Sequence, residues 1–194
     1  MNDPKFQGKY RVESTRLPNR NYAANGWYFI TICTSDRIHF LGDVITRNVQ
    51  LSIIGDIAQQ FWAEIPKHFA YTYTDAYVIM PNHVHGIIAI DRPQNLETLQ
   101  CQPVETLQCN VSTQREFMSA ISPKKGSLGA IVRSYKSAVT RWCRKNSFED
   151  FGWQERFYEH IIRADGSLDR IREYIINNPT KWDEDKNNST NLWM

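Results

Sequence analysis

Apolar side chains recur along this chain with two different periods. Residues 27–34 are rich in aromatic and β-branched side chains and follow Asn25-Gly26. They are apolar at odd and even positions alike, which predicts a strand covered on both faces. Residues 74–80 and 83–90 predict two more strands joined through Pro81-Asn82, with Val84, Ile88 and Ile90 on one face of the second. A short edge strand is expected within residues 44–51. Ile54, Ile57, Phe61 and Ile65 repeat at helical spacing after Ser52, a good N-cap, so an amphipathic helix is predicted that ends before Pro66. Leu128, Ile131, Val132, Tyr135, Ala138, Val139 and Trp142 form one apolar stripe, predicting a helix over 128–145. Residues 157–163 read as a strand. Leu168, Ile171 and Ile175 then mark a last helix, capped by Asp165 or Ser167 and stopped at Pro179.

This alternation breaks between residues 91 and 127. There Glu97-Thr98-Leu99-Gln100-Cys101 is echoed eight residues later by Glu105-Thr106-Leu107-Gln108-Cys109, among Gln, Pro, Ser and Thr. Two copies cannot stack into a solenoid, so the segment is read as a flexible insertion in one domain of residues 27–182. A basic extension of residues 1–26 precedes that domain and a polar tail, 183–194, follows it. A chain of 194 residues can bury a single core of this size. It has no apolar run of membrane-spanning length, and the polar start lacks the apolar stretch of a signal peptide. A cytoplasmic, nucleoid-associated protein without a membrane partner is the expectation. Cys33, Cys101, Cys109 and Cys143 are scattered without C-x-x-C spacing, which argues against thiolate zinc and a disulfide framework.

Net charge is only +2, but its distribution is uneven. From Lys124 to Lys145 the basic residues Lys124, Lys125, Arg133, Lys136, Arg141, Arg144 and Lys145 meet no acidic one. On the predicted helix Arg133, Lys136, Arg141 and Arg144 lie largely off the apolar stripe. They are the candidate phosphate track, against the plainer reading of a solvated helix face.

The candidate chemistry centres on His83-Val84-His85. On a strand, alternate side chains share a face, so the two imidazoles stand roughly 6.6 Å apart at their backbones. They can converge on one divalent cation, although a lone His-x-His is more simply a pair of polar residues on a strand surface. On the last helix Tyr174 sits beside the apolar stripe and Asn178 one turn further along. Packed across the sheet, this helix could present a phenol and an amide to the histidines. The plainer readings are a boundary aromatic and a C-terminal cap. Tyr135, on the basic helix, is a rival nucleophile, though its place in the stripe favours the core. His39 and His68 have no motif support.

Three blocks together carry a resemblance. Tyr77-Val78-Ile79-Met80-Pro81-Asn82-His83-Val84-His85-Gly86, Trp153-Gln154-Glu155-Arg156-Phe157-Tyr158-Glu159-His160-Ile161-Ile162-Arg163 and Tyr174-Ile175-Ile176-Asn177-Asn178-Pro179 resemble, in that order, the single-tyrosine HUH transposases. Within these the chain is most similar to the REP-associated tyrosine transposases. The resemblance spans residues 27–182 apart from the insertion. It implies an α+β fold of HUH endonuclease type, a ferredoxin-like antiparallel sheet with packed helices. It further implies that His83 and His85 hold the metal with Asn178 as third ligand, and that Tyr174 is the nucleophile. Insertion-sequence relatives usually carry Gln in place of Asn178. The implied reaction is cleavage and rejoining of single-stranded DNA near a hairpin, through a covalent 5′-phosphotyrosine link and a free 3′-hydroxyl. The implied cofactor is magnesium or manganese, and the implied assembly a monomer or a homodimer. His160, in the second block, fits either a substrate contact or a structural strand position.

Two other functions compete. HIT-type nucleotide hydrolases also alternate histidines on a strand, but this chain has Ile87 where the next would fall. A domesticated transposase that binds structured single strands without cutting them would keep the same fold.

Overall fold

The computed structural model describes residues 24–93, 123–163, 165–185 and 188. Four strands, β1 (Gly26–Cys33), β4 (Thr72–Met80), β5 (His83–Ile90) and β6 (Tyr158–Ile162), form one antiparallel sheet in the order β4-β5-β1-β6. The central position of β5 explains its composition, since all eight of its residues are buried. Strand alternation divides them between two cores. Val84, Ile88 and Ile90, with Tyr28, Ile30 and Ile32 of β1, pack under helices α1 (Ile53–His68) and α2 (Leu128–Lys145). On the opposite face Ile87 meets Ile162 and Ile175, the latter from α3 (Ser167–Asn177), with Phe29, Val78 and Leu168 around them. His83 and His85 share the α3 face by the same alternation.

The helix starts follow the sequence. Ser52 Oγ accepts from the Gly55 N–H at 3.1 Å and donates to the Phe40 carbonyl at 2.6 Å, which caps α1 and ties it to the preceding loop. Helix α3 starts differently from expectation. Gly166 is its N-cap, in the left-handed region at φ 77°, and Asp165 Oδ1 accepts from the Ser167 N–H at 3.0 Å.

Two further expectations are corrected. Helix α1 runs through Pro66 to His68, because the Phe69 N–H still reaches the Ile65 carbonyl at 3.1 Å and Trp62 and Ile65 anchor the last turns in the core. The region expected to hold one edge strand is instead a separate hairpin, β2 (Gly42–Ile45) with β3 (Asn48–Leu51). Thr46 and Arg47 between them both have positive φ, 51° and 64°, the twist a two-residue hairpin loop requires. That turn has neither Asn nor Gly, so the usual sequence signal is missing.

The described chain stops at residue 93 and resumes at 123. Around this gap Arg92 donates through its guanidinium to the Gly126 carbonyl at 2.5 Å. Asn25 exchanges two hydrogen bonds with the Arg92 backbone, at 2.7 and 2.8 Å. The expected insertion between residues 93 and 123, with the near repeat, lies outside the described residues, as do the N-terminal extension up to residue 23 and most of the tail. Among the described residues no helix is long and apolar enough to cross a membrane.

Gly86 has the tightest requirement in β5. A Cβ there would stand 2.2 Å from Trp62 Cζ2. Trp62 cannot retreat: it is fully buried, stacked on Tyr77 at 5.8 Å and edge-on to Tyr135 at 5.4 Å. Gly86→Ala is therefore expected to lower stability by about 1–3 kcal/mol through overpacking. A lower urea midpoint at unchanged m-value is the readout, and an unchanged midpoint would show that the indole has room to move.

Candidate active site

β5 begins directly after the Pro81-Asn82 turn, so the two histidines enter the sheet at its end, opposite Cys33 and Thr31 of β1. Their rings lie 4.3 Å apart between centroids, and both are buried, at 0% and 2% exposure. Each ring is oriented through Nδ1. Asn82 Nδ2 donates to the Arg37 carbonyl at 3.1 Å, which turns Asn82 Oδ1 toward His83 Nδ1 at 2.9 Å. An amide oxygen only accepts, so His83 carries its proton on Nδ1 and keeps a lone pair on Nε2. That Nε2 is buried and has no hydrogen-bond partner. His85 Nδ1 meets Thr31 Oγ1 at 2.9 Å, and its Nε2 lies 3.2 Å from Tyr174 Oη.

Helix α3 brings the remaining groups. Tyr174 is partly exposed and stands edge-on to Phe29, with ring centroids 6.0 Å apart. Asn178, at the C-cap of α3, is buried at 2% exposure. A 3-10 turn, Pro179–Glu184, follows it directly and returns the chain over the histidines. Trp182 in that turn lies over His83 at 5.9 Å, and Asp185 is buried just beyond it. Asn178 Nδ2 donates to Asp185 Oδ2 at 3.0 Å, while Asn178 Oδ1 is buried without a partner. One ligand atom each from His83, His85 and Asp185 falls within 4.8 Å of the others.

These donors fit a divalent cation. Two partnerless buried atoms, His83 Nε2 and Asn178 Oδ1, are costly in a protein interior unless something binds them. The electrostatics agree. Burial, reinforced by His85 and Arg37 and opposed by Asn178, holds His83 well below the ordinary histidine pKa, so the ring is neutral and able to ligate. Burial and then the Asp185 carboxylate push the Tyr174 phenol up, with Asn178 opposing, so the hydroxyl keeps its proton at neutral pH. The mix of imidazole, amide and carboxylate donors contains no thiolate and suits a divalent metal ion.

A cleft of about 1040 Å³ opens over this cluster. Arg37, Arg156, Arg170 and Lys181 supply its cations, and the partly buried Phe29 and Phe157 and the exposed Tyr158 its aromatic rings. Helix α2, with the basic residues singled out in the sequence, packs on the other face of the sheet. Arg133 and Arg141 line a different groove of about 540 Å³ beside α1, and Arg144 is exposed at the end of α2. Lys136 is engaged locally, its Nζ donating to the carbonyls of Gln154 and Glu155 at 2.5 and 3.2 Å. The structure therefore brings Tyr174, His83, His85 and Asn178 together and leaves Arg133, Arg141 and Arg144 apart from them. Tyr135 is core, its hydroxyl donating to the Ala58 carbonyl at 3.1 Å. His68 pairs with Glu64 at the end of α1, and His160 is exposed on β6. Ile87, the next residue on the histidine face, is buried among Ile162 and Ile175, away from any hydrolase-like third histidine.

Sequence reading missed Asp185, Thr31, Trp182 and the orienting role of Asn82. Only Asn82 lay within a motif; the others depend on the 3-10 turn and on the β1–β5 register. Of the cleft cations, Arg156 alone stands inside a matched block.

Over 182 residues the chain is 38% identical to an uncharacterised protein of Haemophilus influenzae strain Rd KW20, covering 92% of this chain and 94% of that one. Over 168 residues it is 22% identical to a second protein of that strain, provisionally named a REP-associated tyrosine transposase, covering 84% and 74% of the two chains. A solved structure, a REP-associated tyrosine transposase bound to a REP hairpin, superposes with a TM-score of 0.55 at 18% identity, over 88% of this chain and 74% of that one. No family model matches the chain. The fold is thus that of the REP-associated tyrosine transposases. The chain belongs to one family with the uncharacterised Haemophilus protein, and among the single-tyrosine transposases it is the REP-associated ones that it resembles.

The buried neutral state of His83 predicts a pH dependence. An unfolded chain's imidazole titrates near 6.5, while the folded one titrates lower, so the unfolded state takes up the extra proton as pH falls. The stability linked to His83 is complete above that pH and is lost below it, with a slope approaching about 1.4 kcal/mol per pH unit. Urea midpoints at pH 7.5 and 5.5 should fall further for the wild type than for His83→Gln. Equal falls would assign the acid sensitivity to other groups.

Proposed function

We propose that this protein cleaves and rejoins single-stranded DNA beside a hairpin, with Tyr174 as the nucleophile. The observation that carries the reading is the 3.2 Å approach of Tyr174 Oη to His85 Nε2, next to two buried donor atoms without partners, His83 Nε2 and Asn178 Oδ1. A tyrosine hydroxyl is a poor nucleophile at neutral pH, and this one is poorer through burial. A divalent cation held by His83, His85, Asn178 and Asp185 would supply the missing electrophilic activation of a phosphate. Thr31 and Asn82 keep the imidazoles turned for that purpose, and Asp185 keeps the Asn178 amide turned with its oxygen inward.

The chemistry balances without a nucleotide cofactor. Tyr174 Oη forms a bond to phosphorus as the bond to the 3′ oxygen breaks, leaving a 5′-phosphotyrosine. The proton lost by the phenol is matched by the one the 3′ oxygen gains. Attack of a 3′-hydroxyl on the link reverses the step, so rejoining conserves the phosphodiester energy. Arg37, Arg156, Arg170 and Lys181 give the cleft the positive lining a phosphate backbone needs, and its aromatic rings suit unpaired bases. The REP hairpin in the solved transposase of like fold supports a hairpin as the recognised element. Arg133, Arg141 and Arg144 lie beyond the cleft and would meet DNA only where it continues past the cut.

Incubation with a library of hairpin-flanked single strands and manganese, followed by denaturing electrophoresis, is expected to give a covalent protein–DNA adduct. Tyr174→Phe should reduce it below about 1% of wild type, and chelation should abolish it. Asn178→Ala should weaken manganese binding by about 10- to 100-fold in calorimetry. An adduct that persists undiminished in Tyr174→Phe would overturn the mechanism. Hairpin binding with no adduct from any sequence would favour a non-cleaving binder.

A further inference from the structure

Helix α3 carries Tyr174 and ends at Asn178, so the geometry of the cleft depends on how this helix is set on the sheet. Its apolar seat is narrow. Ile175 is its fully buried residue, flanked by the partly buried Leu168 and Ile171, and its N-cap Gly166 has no side chain to hold its start, where Asp165 reaches only the Ser167 N–H. A polar fastening stands on its other flank. Arg172 Nε and Nη2 both donate to Asp75 Oδ2, at 3.0 and 2.5 Å, and Nη1 donates to Asp169 Oδ1 at 2.9 Å. Asp75 is itself fixed, since its Oδ1 accepts from the Ala76 N–H at 2.7 Å within the register break of β4 between Thr74 and Tyr77. The carboxylate is thus held on both oxygens and the guanidinium on three N–H groups.

The geometry points to Asp75 and Arg172 as a positioning pair that sets the roll of α3 and, through it, the place of Tyr174 Oη; this rests on Tyr174 being the nucleophile. Residues two apart lie on different sides of a helix, so Arg172 holds one flank while Tyr174 reaches into the cleft from another. At the radius of a helix with its side chains, a roll of about 10° displaces a side-chain tip by about 1 Å. A displacement of that size can cost up to about 10²-fold in rate. Half-exposed ion pairs add little to global stability, so the effect belongs to orientation. The β4 break gives the pair its reach by offering a carboxylate beside the helix with its direction already fixed.

The test uses the full chain and a hairpin oligonucleotide that forms the adduct. Asp75→Asn and Arg172→Gln should each slow single-turnover adduct formation at saturating DNA by about 10- to 100-fold, with DNA and manganese affinities within about twofold of wild type. Amide hydrogen exchange over residues 172–178 should quicken in both, and the swap of Asp75→Arg with Arg172→Asp should recover part of the rate. Wild-type rates in both single variants, or unchanged exchange across α3, would overturn the proposal. A wild-type protein that forms no adduct with any hairpin would instead overturn the nucleophile reading, a failure that leaves the exchange result intact and so is told apart.

Discussion

The cleft depends on a contradiction that β5 resolves: a strand buried along its whole length carries two imidazoles. Such rings survive inside a protein only if they stay neutral and each nitrogen is accounted for. Thr31 and Asn82 account for the two Nδ1 atoms and Tyr174 for one Nε2. What is left is a lone pair on His83 pointing at an amide oxygen's neighbourhood, in a space roofed by Trp182. The desolvation that makes this arrangement expensive for the fold also keeps the ring unprotonated and ready to bind a cation.

The two faces of the sheet divide the labour. Helices α1 and α2 cover one face with the larger core, where Gly86 and Trp62 interlock. On the other face a small cluster around Ile175 leaves room for a cleft. Polar contacts do there what hydrophobic area does opposite: they fix direction and leave surface open. Asn178, Asp185 and the 3-10 turn between them form a closed loop of this sort, in which the turn brings a carboxylate back to the amide that precedes it.

Much of this was legible in the sequence because it is periodic. The strands at 27–34 and 83–90, the Ser52 cap and the stripe of α2 are local patterns, and the structure reproduces them. His83 and His85 were readable as a pair because strand alternation is rigid. Tyr174 and Asn178 needed the resemblance, since helical spacing alone equally allows a boundary aromatic and a cap. Asp185 was not readable: its approach depends on a 3-10 turn with Lys181 outside helical dihedrals. The basic run of α2 misled in the ordinary way, because a charge pattern fixes a helix face and leaves open which side of the sheet that face looks from. Pro66 misled because the core burial of Trp62 and Ile65 carries the helix past the hydrogen bond that proline cannot make.

The closure at Arg92 and Gly126 has a consequence of its own. Ile90, two residues before Arg92, lies about 23 Å along β5 from His83, so the chain leaves and re-enters the domain at the end of the strand away from the histidines. Asn25 and Arg92 brace the exit, which separates whatever length of chain is spliced there from the register of the sheet. The sheet therefore closes at this end independently of the segment between residues 93 and 123, whose length is free to change without moving the histidines at the other end.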